Sequence, residues 1–182
     1  MKFNKNAKLA NFILLIVLLF IFTNYVDKEE TLNKEELVDL VYPLLDTENS
    51  RWFFFSSASR PFGMVNLSPD NQIGGAWGSG YRYKTDTIKG FSHIHAWQMS
   101  GISVMPVLIP DNNPESLFSD FYSHFSHNKE EIYPGYHYLE LDRYGISAAL
   151  TSTTRTGFHE YSYPGDGQAG ILFNLNTMLG PC

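Results

Sequence analysis

Two histidines separated by a single residue, His93 and His95, have a spacing that could serve metal binding. If this segment is extended, both imidazoles point to one face, because side chains alternate along a strand. A metal site would also need a third ligand, for which His124, His127 or an acidic residue could serve. Spacing alone is a weak signature of a metal site, and the same pair is also typical of buried, hydrogen-bonded histidines that support a loop.

A tryptophan, Trp77, lies in a glycine-rich segment, residues 74–80. A large ring that a flexible loop exposes can stack on the apolar face of a sugar, so Trp77 is a candidate binding residue. It can as well fold back and cover an edge of the domain. Arg60, Arg82 and Tyr83 could hydrogen-bond to hydroxyl groups or take ordinary surface and sheet roles.

The acidic residues form no convincing pair for general acid and base catalysis. The adjacent glutamates at 29–30, 35–36 and 130–131 predict solvated surface charge. Asp70 follows Ser-Pro, a position at which aspartate usually forms a turn. We therefore assign no catalytic acid or base within this chain.

Composition narrows the class of protein. The 182 residues are 43% apolar and 18% charged, which predicts a folded domain with a sizeable core. The net charge of −6, with no basic cluster beyond the extreme N-terminus, argues against nucleic-acid binding. The one cysteine, Cys182, excludes an intramolecular disulfide.

The N-terminal segment has the pattern of an export signal. Lys2, Lys5 and Lys8 precede an unbroken apolar run, residues 12–22, which is short for a membrane-spanning helix. We interpret residues 1–26 as a signal peptide or an uncleaved anchor, which would be the only membrane contact. Residues 27–40 then form a linker and a short helix that ends near Leu40, followed by extended chain.

The remainder, residues 41–182, predicts an all-β fold. Strands are predicted at residues 103–109, 136–142, 146–153, 158–163 and 171–175, and the last is read as a buried run. In the second of these, Tyr136 and Tyr138 face one side while Leu139 and Leu141 face the other. Pro106 predicts an edge or bulge, and Gly145 and Gly157 predict turns. The spacing favours an antiparallel β-sandwich.

A series of short motifs, in order along the chain, resembles the N-terminal domain of family 92 glycoside hydrolases. The most specific is Pro-Phe-Gly-Met-Val-Asn-Leu-Ser-Pro-Asp. The matching stretches, which together extend over roughly residues 41–175, are residues 41–47, 61–70, 79–83, 88–95, 105–106, 134–136, 142–146 and 156–161. The sequence departs from the family pattern after His95, where Ala-Trp-Gln-Met-Ser-Gly stands in place of a Leu-Ser-Gly-like segment.

This resemblance implies a function and a larger architecture. Family members are calcium-dependent, exo-acting α-mannosidases that invert the anomeric centre. They resemble one another in a β-sandwich followed by a helical (α/α)6 barrel, which holds the catalytic carboxylates and most calcium ligands. The expected partners are mannose-containing glycans and a C-terminal catalytic domain that this chain lacks.

Within this family reading, His93, His95 and Trp97 are expected at the boundary between sandwich and barrel, where they help to shape the sugar pocket together with Trp77. Two alternatives stay open. The chain could be a stand-alone carbohydrate-binding module, or a small metal-dependent enzyme that uses the two histidines.

Overall fold

The computed structural model describes residues 13–18, 37–38, 40–45, 47–48, 57–71, 80–95, 101–110 and 113–175. The chain divides into two compact units, Met1–Val41 and Tyr42–Cys182. In the first unit, residues 13–18 and 37–38 are helical. None of the helices in the described ranges is both long and apolar enough to span a bilayer. The rest of the predicted signal segment lies outside the described residues.

The second unit is built from short antiparallel strands. In chain order they are β1 (Ser68–Asp70), β2 (Thr87–Ile88), β3 (Gly90–Ser92), β4 (Ser103–Ile109), β5 (Ser123–His124), β6 (Glu130–Tyr133), β7 (Tyr136–Leu141), β8 (Ile146–Ser152), β9 (Gly157–Ser162) and β10 (Gln168–Asn174). Two 3-10 helices, Pro114–Phe118 and His127–Lys129, interrupt them.

These strands form two four-stranded sheets and one two-stranded ribbon. The first sheet has the order β1-β3-β4-β10, the second is the meander β6-β7-β8-β9, and β2 pairs with β5. The β6–β7 turn uses Gly135 at φ 84° and the β7–β8 turn uses Gly145 at φ 62°. Both angles lie in the left-handed region that glycine adopts without steric cost.

Alternation along the strands places one face of each four-stranded sheet in the core. Leu139, Leu141 and Leu150 from the meander and Phe91 and Met105 from the other sheet belong to one cluster of buried side chains. The Phe91 and Tyr161 rings, from β3 and β9, lie with centroids 5.9 Å apart and so connect the two sheets. The predicted antiparallel β-sandwich is confirmed, as is the predicted division of β7 into a tyrosine face and a leucine face.

The prediction of an edge or bulge at Pro106 is wrong, because β4 lies between β3 and β10 and its register with β10 is continuous through Pro106. β3 is opposite β4 at Phe91 and Val104, so the antiparallel register puts Pro106 opposite Lys89, just before the first residue of β3. On its other side Pro106 is opposite Ile171 of β10. A proline is tolerated at this position because β3 pairs with β4 at Phe91 and Val104 and not at Pro106.

Three further local predictions are wrong. The chain after Leu40 is not extended, because Leu45 N donates to Tyr42 O and Thr47 N donates to Leu44 O, which closes two turns. The run at residues 171–175 is not buried. Among the described strands β10 is at the edge of its sheet, Ile171 and Phe173 are exposed on its outer face, and Leu175, just after the strand, is exposed as well.

Gly157 is the third, since it lies within β9 rather than in a turn.

Candidate functional site

The strand order brings His93 and His95 beside β1 at one end of the first sheet. β3 pairs with β1 so that Pro69 is opposite Phe91, and the chain bends after β3 at His93. Asn66 N donates to His93 O over 2.9 Å, which holds this bend against the segment that leads into β1. The two histidines therefore leave the sheet next to Asp70, the last residue of β1.

His95 is held as a buried ion pair. Its Nε2 lies 2.7 Å from Asp70 Oδ1 and its Nδ1 lies 2.6 Å from the Asn66 carbonyl oxygen. The side chains of His95 and Asp70 are only 5% and 1% exposed. Since both oxygens can only accept, each ring nitrogen donates, which is the pattern of an imidazolium.

The electrostatics of His95 agree with this geometry. Burial alone lowers the pKa of His95, but the charge and hydrogen bond of Asp70 and the Asn66 carbonyl outweigh burial and raise the pKa above its ordinary value. Asp70 Oδ2 is buried and has no hydrogen-bond partner among the described residues. The prediction that Asp70 forms a turn is wrong, because it ends a strand and pairs with a histidine 25 residues away.

His93 has different partners from its neighbour. Its Nε2 lies 2.6 Å from His159 Nε2, and His159 Nδ1 lies 2.7 Å from the Tyr161 hydroxyl. His159 and Tyr161 point inward from β9, across the sandwich from β3. One proton lies between the two Nε2 atoms, so one imidazole donates and the other accepts.

Both members of this pair are neutral at pH 7. Burial, and then the charge of His95, lower the pKa of His93. Burial, and then His93, lower the pKa of His159 to about 4. Burial also raises the pKa of Tyr161, so its hydroxyl keeps its proton.

Gly157 provides the space for the His93 ring. A Cβ built on Gly157 would lie 2.8 Å from His93 Cε1 and Nε2, closer than such atoms approach. The glycine in β9 is therefore required by packing across the sandwich, a role that the sequence alone does not distinguish from a turn signal.

The metal-binding interpretation of the two histidines is not supported. His93 and His95 bind separate partners, while His124 contacts Asp86 and His127 contacts Glu130. In the described part of the chain, no group of three or more His, Cys, Asp or Glu side chains is arranged to hold an ion. Calcium, which takes six to eight oxygen ligands, finds no such set there either, since the buried carboxylates of Asp70 and Glu130 face histidines.

The other predicted binding residues fall in different places. Trp77 and Trp97 lie outside the described residues. Arg60 is exposed, and the Arg82 backbone forms two hydrogen bonds with the Asn71 side chain. The Tyr83 ring stacks on His127 with centroids 4.1 Å apart. None of these three side chains lies among the contacts of His93 or His95.

A second buried network surrounds Glu130, which the sequence suggested was surface charge. Its side chain is 3% exposed and accepts from His137 Nε2 at 2.8 Å, His127 Nδ1 at 2.6 Å and Tyr81 OH at 2.9 Å. Burial alone raises the pKa of Glu130, but these hydrogen bonds and the His137 charge lower it overall. The available signal was alternation: Glu130 shares its face of β6 with Ile132, and the exposed Glu131 shares the other with Tyr133.

The Glu130 network extends to Ser57, whose Oγ lies 2.5 Å from His137 Nδ1. The hydrogen-bonded series Ser57–His137–Glu130 has the residue types of a hydrolytic triad. Here Ser57 and His137 are buried, and Glu130 also binds two further donors. The network connects the Ser57 segment and the Tyr81 segment to the meander. Its hydrogen bonds occupy Glu130, which is therefore not free to act as a general acid or base.

Comparison with known proteins gives a consistent result. Residues 40–181 match the Glycosyl hydrolase family 92 N-terminal domain. A family GH92 α-mannosidase from Bacteroides thetaiotaomicron shares 29% identity and a TM-score of 0.68, over 79% of this chain and 21% of that chain. The same enzyme in complex with mannoimidazole also has a TM-score of 0.68 and 29% identity, over 79% of this chain and 20% of that chain.

A second structure, a family GH92 inverting mannosidase from the same organism, has a TM-score of 0.60 at 24% identity, over 75% of this chain and 19% of that chain, and supports the fold alone. The chain thus spans about a fifth of the length of these relatives. No curated protein sequence matches it.

Proposed function

Because this chain belongs to glycoside hydrolase family 92 through the family's N-terminal domain, we propose that it is the sandwich portion of an exported α-mannosidase. The enzyme removes terminal α-mannosides from glycans with inversion. The acid, the base and the calcium ligands come from a catalytic domain beyond the described residues. In this proposal the sandwich forms one wall of the sugar pocket.

The observation that carries this proposal is the Asp70–His95 pair and its place in the chain. Asp70 comes just before residues 72–79, and His95 comes just before residues 96–100. These two segments contain Trp77 and Trp97, the aromatic candidates for sugar binding. A buried ion pair at the start of both segments fixes their starting points relative to the core. Fixed anchor points are what a loop-borne binding residue needs.

The chemistry of the described residues is consistent with a binding role rather than a hydrolytic one. Inverting hydrolysis needs a carboxylic acid and a carboxylate about 6.5–9.5 Å apart on either side of the sugar. Asp70 and Glu130, the buried carboxylates, both accept hydrogen bonds from histidines. In this proposal the domain shapes the sugar pocket and orients the substrate, while the residues that transfer protons lie elsewhere in the enzyme.

Export is the other part of the proposal, and it rests on Lys2, Lys5 and Lys8 before the apolar run at residues 12–22. A reporter enzyme that is active only outside the cytoplasm, fused after Val26, should become active. A reporter fused after Val26 in a variant with Leu14, Ile16 and Leu18 changed to Asp should stay inactive. Equal activity of both fusions would refute export through this segment.

The function itself is tested with a polypeptide in which this chain precedes a family 92 catalytic domain. We expect it to hydrolyse an aryl α-mannoside, to release the β-anomer first by NMR, and to lose activity to a calcium chelator reversibly. The 182-residue chain alone should be inactive. If the long form is also inactive while the chain alone binds mannosides, the chain is a carbohydrate-binding module instead.

A further inference from the structure

The outer face of the β6-β7-β8-β9 meander carries an unusual set of side chains. Antiparallel sheets with one solvated face normally place polar residues on it. Here that face carries four aromatic residues and three carboxylates. We name six of these side chains the outer platform: Tyr133, Tyr136, Tyr138, Phe158, Glu131 and Glu160. The third carboxylate, Glu140, lies beside them on β7 and pairs with Lys129.

Strand register arranges the outer platform in two adjacent rows. Tyr133 is opposite Tyr136, Tyr136 is opposite Thr151, and Thr151 is opposite Phe158, so the first row crosses all four strands. With strands about 4.8 Å apart, a row is about 14 Å long. Tyr133 and Phe158, at its ends, are 58% and 53% exposed.

The second row contains the carboxylates. Glu131 is opposite Tyr138, Tyr138 is opposite Ala149, and Ala149 is opposite Glu160. The rings of Tyr133 and Tyr136 are stacked, with centroids 6.2 Å apart and planes 30° apart. Burial, and then the charges of Glu131 and Glu160 among its neighbours, raise the pKa of Tyr136, so its hydroxyl remains a donor.

Among the residues that the structure describes, neither Glu131 nor Glu160 forms an ion pair. Lys129, in the adjoining part of the chain, is engaged by Glu140 at 2.7 Å. A protein partner would have to supply counter-charges to Glu131 and Glu160 or bury them unpaired, which is costly, and charged residues are depleted at the centres of protein interfaces. An anionic polymer would be repelled by the same carboxylates.

A neutral, hydroxyl-rich ligand satisfies every group on this face. Aromatic rings pack against the C–H faces of sugar rings, and ionised carboxylates accept strong hydrogen bonds from hydroxyl groups. We propose that the outer platform binds a neutral oligosaccharide chain, laid across the four strands of the meander. This binding surface is on the opposite side of β9 from His159 and does not depend on the pocket proposed above.

The test is affinity electrophoresis of the 182-residue chain in native gels with and without a soluble polysaccharide. The probes are a neutral α-mannan, a neutral β-glucan and an acidic polygalacturonate. We expect at least one neutral polymer to retard the chain and the acidic polymer to leave its mobility unchanged. Tyr136→Ala and Phe158→Ala should each weaken the retardation about tenfold in polymer concentration.

Matched controls keep this test interpretable. Phe173→Ala removes an equally exposed aromatic from the other sheet and should bind normally, as should Trp97→Ala, which tests independence from the proposed pocket. Phe158→Tyr should retain binding, which shows that a folded platform with a ring at 158 suffices. Glu131→Gln and Glu160→Gln should weaken binding severalfold by removing charged acceptors.

The proposal is overturned if neither neutral polymer retards the chain, or if the Tyr136 and Phe158 variants bind as well as the parent. It is also overturned if sedimentation shows a dimer that these two variants abolish, since the platform would then be an interface between copies.

Discussion

Asp70 Oδ1 lies 2.7 Å from His95 Nε2, and this contact joins the chain just before residues 72–79 to the chain just before residues 96–100. The two side chains are almost fully buried, and the His95 ring also donates to the Asn66 carbonyl. Replacing both members of a buried ion pair by apolar residues changes the free energy of unfolding little. Removing only one member is costly, because the remaining buried charge has no partner. Its value here lies in fixing where two segments begin.

Asp70→Asn should therefore destabilise the domain by about 3 kcal/mol. The folded pKa of His95 is raised, so its stabilising charge is fully present below the unfolded pKa of about 6.5 and is lost as the pH rises through the folded pKa. Urea melts should show a larger penalty at pH 5.5 than at pH 8.5. Asp120→Asn, which breaks the exposed Arg143 ion pair, is the control and should cost no more than about 1 kcal/mol. Equal penalties at both pH values would contradict the ion pair.

Gly157→Ala should destabilise the domain by about 1–3 kcal/mol, because the new Cβ would lie 2.8 Å from the His93 ring. In a His93→Ala background the same change should cost much less, since the clashing ring is gone. A double-mutant cycle by chemical denaturation measures this coupling. Gly165→Ala, where no atom lies within 4 Å of the added Cβ, is the matched control. Additive effects of Gly157→Ala and His93→Ala would refute the contact.

His159 should stay neutral down to an unusually low pH. Its folded pKa of about 4 is below the unfolded value, so the stability it confers is present above about pH 6.5 and is lost as the pH falls toward 4. NMR titration of the imidazole resonances should give a midpoint near 4 for His159. His159→Gln should flatten the fall in stability between pH 6.5 and 4.5. A midpoint above 6 would mean that the ring is not buried against His93.

Local patterns were sufficient for five of the ten described strands, β4 and β7 to β10, but not for the shorter strands or for the site. The tyrosine and leucine faces of β7 follow directly from alternation, and β4 was predicted with its observed bounds. The partner of His93 is 66 residues away and the partner of His95 is 25 residues away, so both depend on which strands pair. Local sequence does not encode which strands pair. The family resemblance predicted the β-sandwich but not the strand pairing that brings these side chains together.

The same limit explains the errors at charged and apolar residues. Glu130 and Glu131 are adjacent, but β6 sends one into a network of three donors and the other to solvent. Ile171 and Phe173 lie in a run that is apolar except for Asn174, yet their strand is at the edge of the described sheet. Leu172, between them, packs on the core, while Ile171 and Phe173 are exposed. Residue type alone does not determine which side of an edge strand is covered.

The exposed residues of β10 should promote self-association of the isolated chain. Ile171 and Phe173 are uncovered on β10, which lies at the edge of the sheet that the described strands form, and so offer apolar surface to a second copy. Ile171→Lys with Phe173→Glu should abolish concentration-dependent association in sedimentation velocity, with stability changed by no more than about 0.5 kcal/mol. Leu172→Lys, on the core side, should instead unfold the domain. If the double variant still associates, the self-association surface lies elsewhere on the chain.

The last prediction distinguishes residues that stabilise the fold near His95 from residues that contact substrate. In the long form with a catalytic domain, His95→Ala should lower the thermal midpoint, because Asp70 would keep a buried charge without its partner. Trp97→Ala should lower kcat/KM on the order of a hundredfold at an unchanged midpoint, if the ring positions the sugar. His93→Ala is intermediate: it frees His159 from a neutral hydrogen bond and should cost about 1–3 kcal/mol.

The comparison is decisive when kcat/KM is expressed per folded molecule and melting is measured on the same preparations. An activity loss in Trp97→Ala without a stability loss supports the pocket wall, and it is the result that a purely structural tryptophan cannot give. Conversely, Trp97→Ala with normal kcat/KM and a lowered midpoint would assign the ring to packing. His95→Ala with full stability and low activity would mean that the imidazole contacts substrate rather than supporting the fold. We do not expect this result, because both ring nitrogens of His95 already donate to Asp70 and to the Asn66 carbonyl.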